Sequence, residues 1–343
     1  MRSEKWRYSN GHTPSGDLVS CHPFIKGELT ALPFCRIFTP HSPLFTLSLK
    51  GGCMKKLLFA ALAVVMCFTG VGFAEDEVQT WSYKIGDFDF IAVRDKDTNM
   101  GRDILLSPYS DTVKKTMPDN QNPSSINAFV LKTKDKTILF DTGLGAAGGG
   151  KLLENMKLAK IDPQKVDCIF LTHMHGDHAG GLLTKDGGAV FSKAVIYVSK
   201  PEIDYWTGYT DARIANYVNM TKDAYAGRIK NFEWGEEVLP GVKAIKAVGH
   251  TPGHAIYEIS SNDSKLLVIG DLVHVLKVQM KDPSMAVKFD SDSKQATDTR
   301  KAVLRDAAKN KTKIAGMHIP FPGAGTVEDP NGSGEYVFYP AVK

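Results

Sequence analysis

Apolar and polar positions alternate through most of the chain beyond Trp81. Tyr83, Ile85, Phe88, Phe90, Ile91 and Val93 predict one or two strands between Trp81 and Val93. The stretch from Asn127 to Phe140 reads as a hairpin, with Phe129-Val-Leu131 and Thr137-Ile-Leu-Phe140 flanking the turn-like Lys134-Asp-Lys136. Further strands are expected at 166–171, 194–198, 242–247, 255–259, 265–269 and 313–315. Between them the spacing predicts a helix at about 151–158, one over roughly 202–230 broken by Gly208, and one at about 293–309. In the last of these Ala296, Val303, Leu304 and Ala307 share a face, and Asp292 with Gln295 has the form of a capping box. Many strands with helices interspersed indicate an α/β (α+β) class, a sandwich of sheets flanked by helices. No repeat or linker divides residues 75–343, so they are expected to form one domain.

The pattern before that differs. Met54-Lys-Lys56 is followed by an apolar run from Leu57 to Phe73 that ends Val71-Gly-Phe-Ala74 before Glu75-Asp-Glu77. A basic start, a short apolar stretch and small residues at 72 and 74 describe a secretory signal peptide at 54–74, cleaved after Ala74. A membrane anchor would need a longer run without Gly70 and Gly72. Residues 1–53 show no sustained periodicity and read as an upstream extension, disordered or not translated. The expected location is periplasmic or secreted, with no stable membrane anchor after cleavage.

Charge and cysteine usage change with this division. The 343 residues carry a formal charge of +4. Residues 1–74 hold eight Lys/Arg and three Asp/Glu, which leaves 34 basic against 35 acidic side chains in 75–343. The remainder is near neutral, so charge gives no argument for a nucleic-acid partner. Cys21, Cys35, Cys53 and Cys67 fall before Glu75, so the lone Cys168 can form no internal disulfide and reads as a core residue of a strand.

The chemistry lies in the histidines. After Ala74 there are seven, all in four short motifs: Thr172-His-Met-His-Gly-Asp-His178, Gly249-His-Thr-Pro-Gly-His254, Gly270-Asp-Leu-Val-His274 and Gly316-Met-His318. Each follows a predicted strand, so the motifs can converge on one edge of a sheet core. His173 and His175 are two apart, which on extended backbone sends both side chains to one side, where they can grip one ion. Gly176 permits a turn that redirects Asp177 and His178 towards a second ion, and Gly176 with Gly180-Gly181 argues against a helix across the motif. With Asp271 and His318, these residues supply enough nitrogen and oxygen ligands for two divalent metal ions, most simply Zn. Four polar groups at one strand end would be costly to bury without such a partner.

His-x-His-x-Asp-His at 173–178, His250, Asp271 and His318, with the upstream Asp141-Thr-Gly143, resemble the metallo-β-lactamase fold superfamily. Gly270-Asp-Leu-Val-His274, Phe289-Asp-Ser-Asp292 and His318-Ile-Pro-Phe-Pro-Gly323 are similar to its methyl parathion hydrolase-like secreted branch. The resemblance implies a four-layer αββα sandwich and a dinuclear centre in which His173, His175 and His250 bind one metal. Asp177, His178 and His318 would bind the other, Asp271 would bridge them, and Asp141 would orient the loop of the first motif. His254 and His274 are then left for pocket or supporting roles. A homodimer is implied by the same resemblance alone.

A hydroxide bridging two such ions is a strong nucleophile at neutral pH, and Asp177 could relay its proton. The expected activity is therefore hydrolysis of an ester-like bond in a small-molecule substrate: a lactone, aryl ester or organophosphate ester. A mononuclear-iron oxidoreductase of the same fold, similar to persulfide dioxygenases, is the alternative, and an idle metal-binding module is the third reading. Gly143-Leu-Gly-Ala-Ala-Gly148 has the form of a dinucleotide loop, but the following strand enters a metal motif with no acid placed for a ribose hydroxyl. Tyr205-Trp206 with Tyr209 reads first as a helix packing face and second as a pocket wall, while Met174 and Met317 are expected to fill space.

Overall fold

The alternating segments of the first half pair as a seven-stranded sheet in sequence order. Its strands are β1 (Thr80–Ile85), β2 (Phe88–Asn99), β3 (Pro123–Lys132), β4 (Thr137–Phe140), β5 (Cys168–Phe170), β6 (Val195–Ser199) and β7 (Ile229–Phe232). β1 to β4 run antiparallel, whereas β4 to β7 are parallel. A second seven-stranded sheet holds β8 (Glu237–Leu239), β9 (Val242–Lys246), β10 (Ala255–Ser261), β11 (Ser264–Gly270), β12 (Lys313–Gly316), β13 (Ala324–Glu328) and β14 (Val337–Pro340). Only β11 and β12 are parallel there. The computed structural model describes residues 80–341; the readings for the extension at 1–53 and the signal at 54–74 lie outside the described residues.

Period-two alternation assigns each strand two faces. Phe129, Phe140 and Phe170 turn inward to a shared core with Tyr257, Val268 and Ala315 of the second sheet. The Tyr257 ring stands 5.1 Å from Phe170 and 5.5 Å from Phe140, so the two sheets touch through aromatic side chains. Their neighbours Val130, Leu139 and Ile169 point the other way, onto Leu152 and Met156 of a helix at Leu152–Leu158. Ile256, Ile269 and Ile314 on the outer face of the second sheet pack on Leu304 and Ala307 of the long helix Ser293–Asn310. Burial on both faces is why these strands read as nearly continuous apolar runs. The result is the expected αββα sandwich.

In chain order the helices are α1 (Asp111–Thr116), α2 (Leu152–Leu158), α3 (Gly176–Ala179), α4 (Lys200–Thr207), α5 (Ala212–Ala224), α6 (Leu276–Gln279) and α7 (Ser293–Asn310). The capping residue expected for α7 is in place, with Asp292 accepting the Gln295 N–H at 2.9 Å. Two expectations are corrected. The helix predicted over 202–230 ends at Ala224, because the chain turns at Gly227 (φ +72°) and becomes β7. A helix does start inside the first histidine motif, but as the single turn α3, with His175 still extended before it. The glycines therefore shorten the helix rather than abolish it. Among the described residues no helix is long and apolar enough to cross a membrane.

One buried side chain ties the two sheets together beside the last histidine. Asn127 on β3 donates from Nδ2 to the Ile319 carbonyl at 2.8 Å and the Met317 carbonyl at 3.1 Å, and its Oδ1 accepts the Ser125 hydroxyl at 3.0 Å. Asn127→Ala should remove the side-chain donor to both carbonyls and the acceptor of the Ser125 hydroxyl, leaving the Met317 carbonyl only the backbone N–H of residue 127 and the Ile319 carbonyl only the Ser125 hydroxyl, and lower unfolding free energy by roughly 1–3 kcal/mol. Urea denaturation would check this; a midpoint equal to wild type would refute it.

Candidate metal centre

The parallel strand pairs deliver their following loops to one edge. Asp141 comes directly after β4 and Thr172-His173 just after β5 in the first sheet, while Asp271 comes directly after β11 and His318 just after β12 in the second. His250 follows β9, and α3 presents Asp177 and His178. Asp141 takes a left-handed conformation (φ +57°), which lets its carboxylate face back into the site. Gly270 (φ +52°) has no alternative side chain available, since a Cβ there would lie 2.5 Å from His254 Nε2.

The side chains converge as two groups around one carboxylate. His175 Nδ1 lies 2.9 Å from His173 Nε2 and 3.0 Å from His250 Nε2. Asp271 Oδ2 lies 3.3 Å from His250 Nε2 and 3.6 Å from His173 Nε2. In the second group, His178 Nε2 and His318 Nε2 are 3.3 Å apart, with Asp177 oxygens 3.6 and 3.4 Å from them. Asp271 reaches this group too, with Oδ1 3.1 Å from His178 Nε2 and Oδ2 3.2 Å from His318 Nε2. Every site residue expected from the sequence to ligate metal is thus in one place, and Asp271 lies between the groups.

The outer ring nitrogens fix the tautomers. His178 Nδ1–H donates to Asp141 Oδ2 at 2.8 Å, and His250 Nδ1–H donates to Asp290 Oδ1 at 2.9 Å. Asp141 also accepts the Thr172 N–H and hydroxyl, each at 2.7 Å, which leaves the Thr172 oxygen to accept His173 Nδ1–H at 3.1 Å. The Nε2 atoms of His173, His178 and His250 therefore carry lone pairs directed at other acceptors. Asp271 Oδ1, fully buried, has no hydrogen-bond partner. With the rings neutral, acceptors facing acceptors in a buried space are favourable only when a positive charge, a ring proton or a metal ion, lies among them. The donor set, imidazole nitrogen with carboxylate oxygen, suits divalent ions such as zinc.

The same crowding splits the titration of the rings. Burial holds His173 well below the ordinary imidazole range and takes His175 down to about 3. For His250 burial is outweighed by Asp271 and Asp290, which bring it up to about 9, and for His178 it is outweighed by Asp271, Asp177 and Asp141. Burial likewise opposes ionisation of Asp271, yet His178, His318, His173 and His274 hold it well below the carboxylate range.

The two remaining histidines differ from each other. His254 Nδ1–H donates to the Ala247 carbonyl at 3.0 Å, and its Nε2 accepts the Asp271 N–H at 3.1 Å, so both nitrogens are used in fixing Asp271. His274 Nε2 lies 3.0 Å from Asp271 Oδ2 and falls within a third possible ligand group with Asp271 and His318. Trp206 packs in the core beneath α4 as expected, but its ring also stands 5.2 Å from His175 and so walls the centre. The Leu144 N–H of the glycine-rich loop at 2.9 Å and the Leu152 N–H at the start of α2 at 2.8 Å both bind the Asp95 carboxylate, so these backbone donors are already taken. Asp290 and Glu202 were not singled out as site residues from the sequence. Asp290 lay within a motif carrying the resemblance, whereas Glu202 has the sequence disguise of a helix cap.

Fold and site together define an αββα protein with a His/Asp centre for divalent metal. The chain matches the sequence model of the metallo-beta-lactamase superfamily over residues 122–318 and belongs to that superfamily. It is similar to the crystal structure of the hydrolase AbOPH, with 32% identity and a TM-score of 0.70, covering 77% of this chain and 98% of that one. AidC, a dizinc quorum-quenching lactonase in complex with a homoserine product, shows 27% identity and a TM-score of 0.70 over the same shares. The ribonuclease Z of Thermococcus gammatolerans is 35% identical over 95 residues, which are 28% of this chain and only 27% of that enzyme.

The hydrogen bonding sets His254, both of whose ring nitrogens are engaged, apart from the rings that face the cluster. Long-range proton–nitrogen NMR during zinc titration should shift the ring nitrogens of His173, His175, His178, His250 and His318, while His254 keeps a fixed Nδ1–H tautomer. Movement of His254 with the others would refute the assignment.

Proposed function

We propose that the protein is a dinuclear metal-dependent hydrolase of ester-like bonds in small molecules: a lactone, aryl ester or organophosphate ester. The observation that carries this reading is Asp271, whose two oxygens stand among two separate groups of imidazole lone pairs. In this reading His173, His175 and His250 hold one ion, Asp177, His178 and His318 the other, and Asp271 both. When bound, two divalent ions supply a water ionised at neutral pH and positive charge for the scissile carbonyl or phosphoryl oxygen.

The chain's own residues supply the rest. Asp141 and Asp290 hold His178 and His250 in the tautomer that presents Nε2 inward, and His254 fixes the backbone of Asp271. Asp177, with its side chain 28% exposed against 3% for Asp271, is the acid positioned to exchange a proton through Oδ1 or Oδ2 with the substrate's leaving group. Hydrolysis of a small molecule is favoured over RNA because similarity extends over nearly all of the lactonase AidC, but over about a quarter of the ribonuclease.

Metal analysis of protein starting at Glu75 should give two divalent ions per chain, with hydrolysis in a panel of lactones, aryl esters and phosphotriesters. A chelator should abolish the activity and zinc restore it, and Asp271→Asn should lower kcat/KM by about two orders of magnitude or more. Inactivity of the two-ion protein across the panel would refute the reading, and one iron with oxygen consumption would replace it with the oxidoreductase. Export is proposed on the 54–74 pattern alone. Terminal sequencing of protein recovered outside the cytoplasm should begin at Glu75, and an upstream start would overturn that proposal.

A further inference from the structure

Glu202 is completely buried in the first turn of α4. Ser199-Lys-Pro-Glu202 has the spacing of a capping box, in which the glutamate would bend back to the Ser199 N–H. The Ser199 hydroxyl does its part, accepting the Glu202 N–H at 3.3 Å. The carboxylate turns the other way. Its Oε1 accepts the Met174 N–H at 2.8 Å and the Trp206 Nε1–H at 2.6 Å, while Oε2 accepts the Thr251 hydroxyl at 2.6 Å and the Gly253 N–H at 3.0 Å.

The identity of those donors gives the arrangement a purpose. Met174 is the residue between His173 and His175, and Thr251 follows His250. The three imidazoles so flanked are the ones whose nitrogens meet within 3.0 Å at His175 Nδ1. Trp206, held by the same carboxylate, packs its ring against His175. Ser199 adds a bond to the Gly253 carbonyl at 2.6 Å, and a Cβ on Gly253 would come within 2.2 Å of the Glu202 nitrogen, so the loop is pressed onto the helix start. None of these hydrogen bonds reaches the Asp177–His178 turn or His318.

We propose that Glu202 is the positioning residue of the His173, His175 and His250 group. It fixes the two loops that carry these rings to one rigid helix end, so that ion affinity in this group, and not in the Asp177, His178 and His318 group, depends on its carboxylate. The inference rests on the dinuclear reading. The physical reason is that a carboxylate accepting four hydrogen bonds has no isosteric neutral substitute: in Glu202→Gln one oxygen becomes an NH2 that faces existing donors.

The test is metal affinity of Glu202→Gln measured against graded chelator, with imidazole NMR to assign each ion to its group and thermal unfolding of the ion-free protein as a control. The variant should lose affinity about 10–100-fold in the His173, His175 and His250 group and keep the other within about threefold. Trp206→Phe, which removes one of the four donors and retains the carboxylate, should weaken the same group by a smaller factor and serves if Glu202→Gln does not fold. Equal weakening of both groups, or unchanged affinities with only a lower ion-free Tm, would overturn the proposal. A wild type that binds one ion would overturn the dinuclear reading instead, and Glu202 would then be judged by whether its substitution changes the affinity of that ion.

Discussion

Lone pairs do not gather in a buried space without something positive among them, and this constraint shapes the whole edge of the sandwich. Asp271 and the inward nitrogens of His173, His175, His178, His250 and His318 lie within 3.6 Å of one another in successive pairs. For His173, His178 and His250 the Nδ1 proton is already committed to Thr172, Asp141 and Asp290, so with these rings neutral their Nε2 atoms have nothing to donate. The fold holds these groups together at a free-energy cost that added positive charge, as ring protons or a bound metal ion, offsets. Everything around them serves that end, from the parallel strand pairs that set the loops side by side to the tight approach at Gly270.

Much of this was legible in the chain because its chemistry is local. His173, His175, Asp177 and His178 lie within one short segment, the last two on α3, and the remaining motifs each follow a strand whose alternation is clear, so both the strands and their convergence could be read. The central strands and α7 followed from the apolar period and from Asp292 as a cap. The edge strands β8 and β14 were less visible, being short and partly exposed, as was the short β13 beside β14, and β7 was hidden behind a helical pattern that continues a few residues too far. The turn at Gly227, not a loss of amphipathicity, ends the helix there.

The supporting carboxylates were harder to read, for a physical reason. A ligand announces itself by residue type, whereas a support is defined by which distant N–H it accepts. Asp141 was found only through resemblance, and Asp290 was adjacent to recognised residues without a role of its own. Glu202 is the clearest case, since the four residues from Ser199 satisfy a local rule that the structure does not follow. Trp206 is one turn along the same helix, but its other three partners lie 28 to 51 residues away, and no local window of sequence contains them.

The distribution of the ligands along the chain has one further consequence. His175 and His250 are 75 residues apart, and His178 and His318 are 140 apart, with each pair spanning the two sheets. An ion joining such a pair acts as a covalent tie would, closing a long loop and removing freedom from the unfolded chain by about 4–5 kcal/mol on polymer grounds. The domain keeps a single buried cysteine and can make no such tie from sulfur. Its cross-links would instead be reversible and set by metal supply, so that the ions proposed to activate water would also decide how long the folded chain persists.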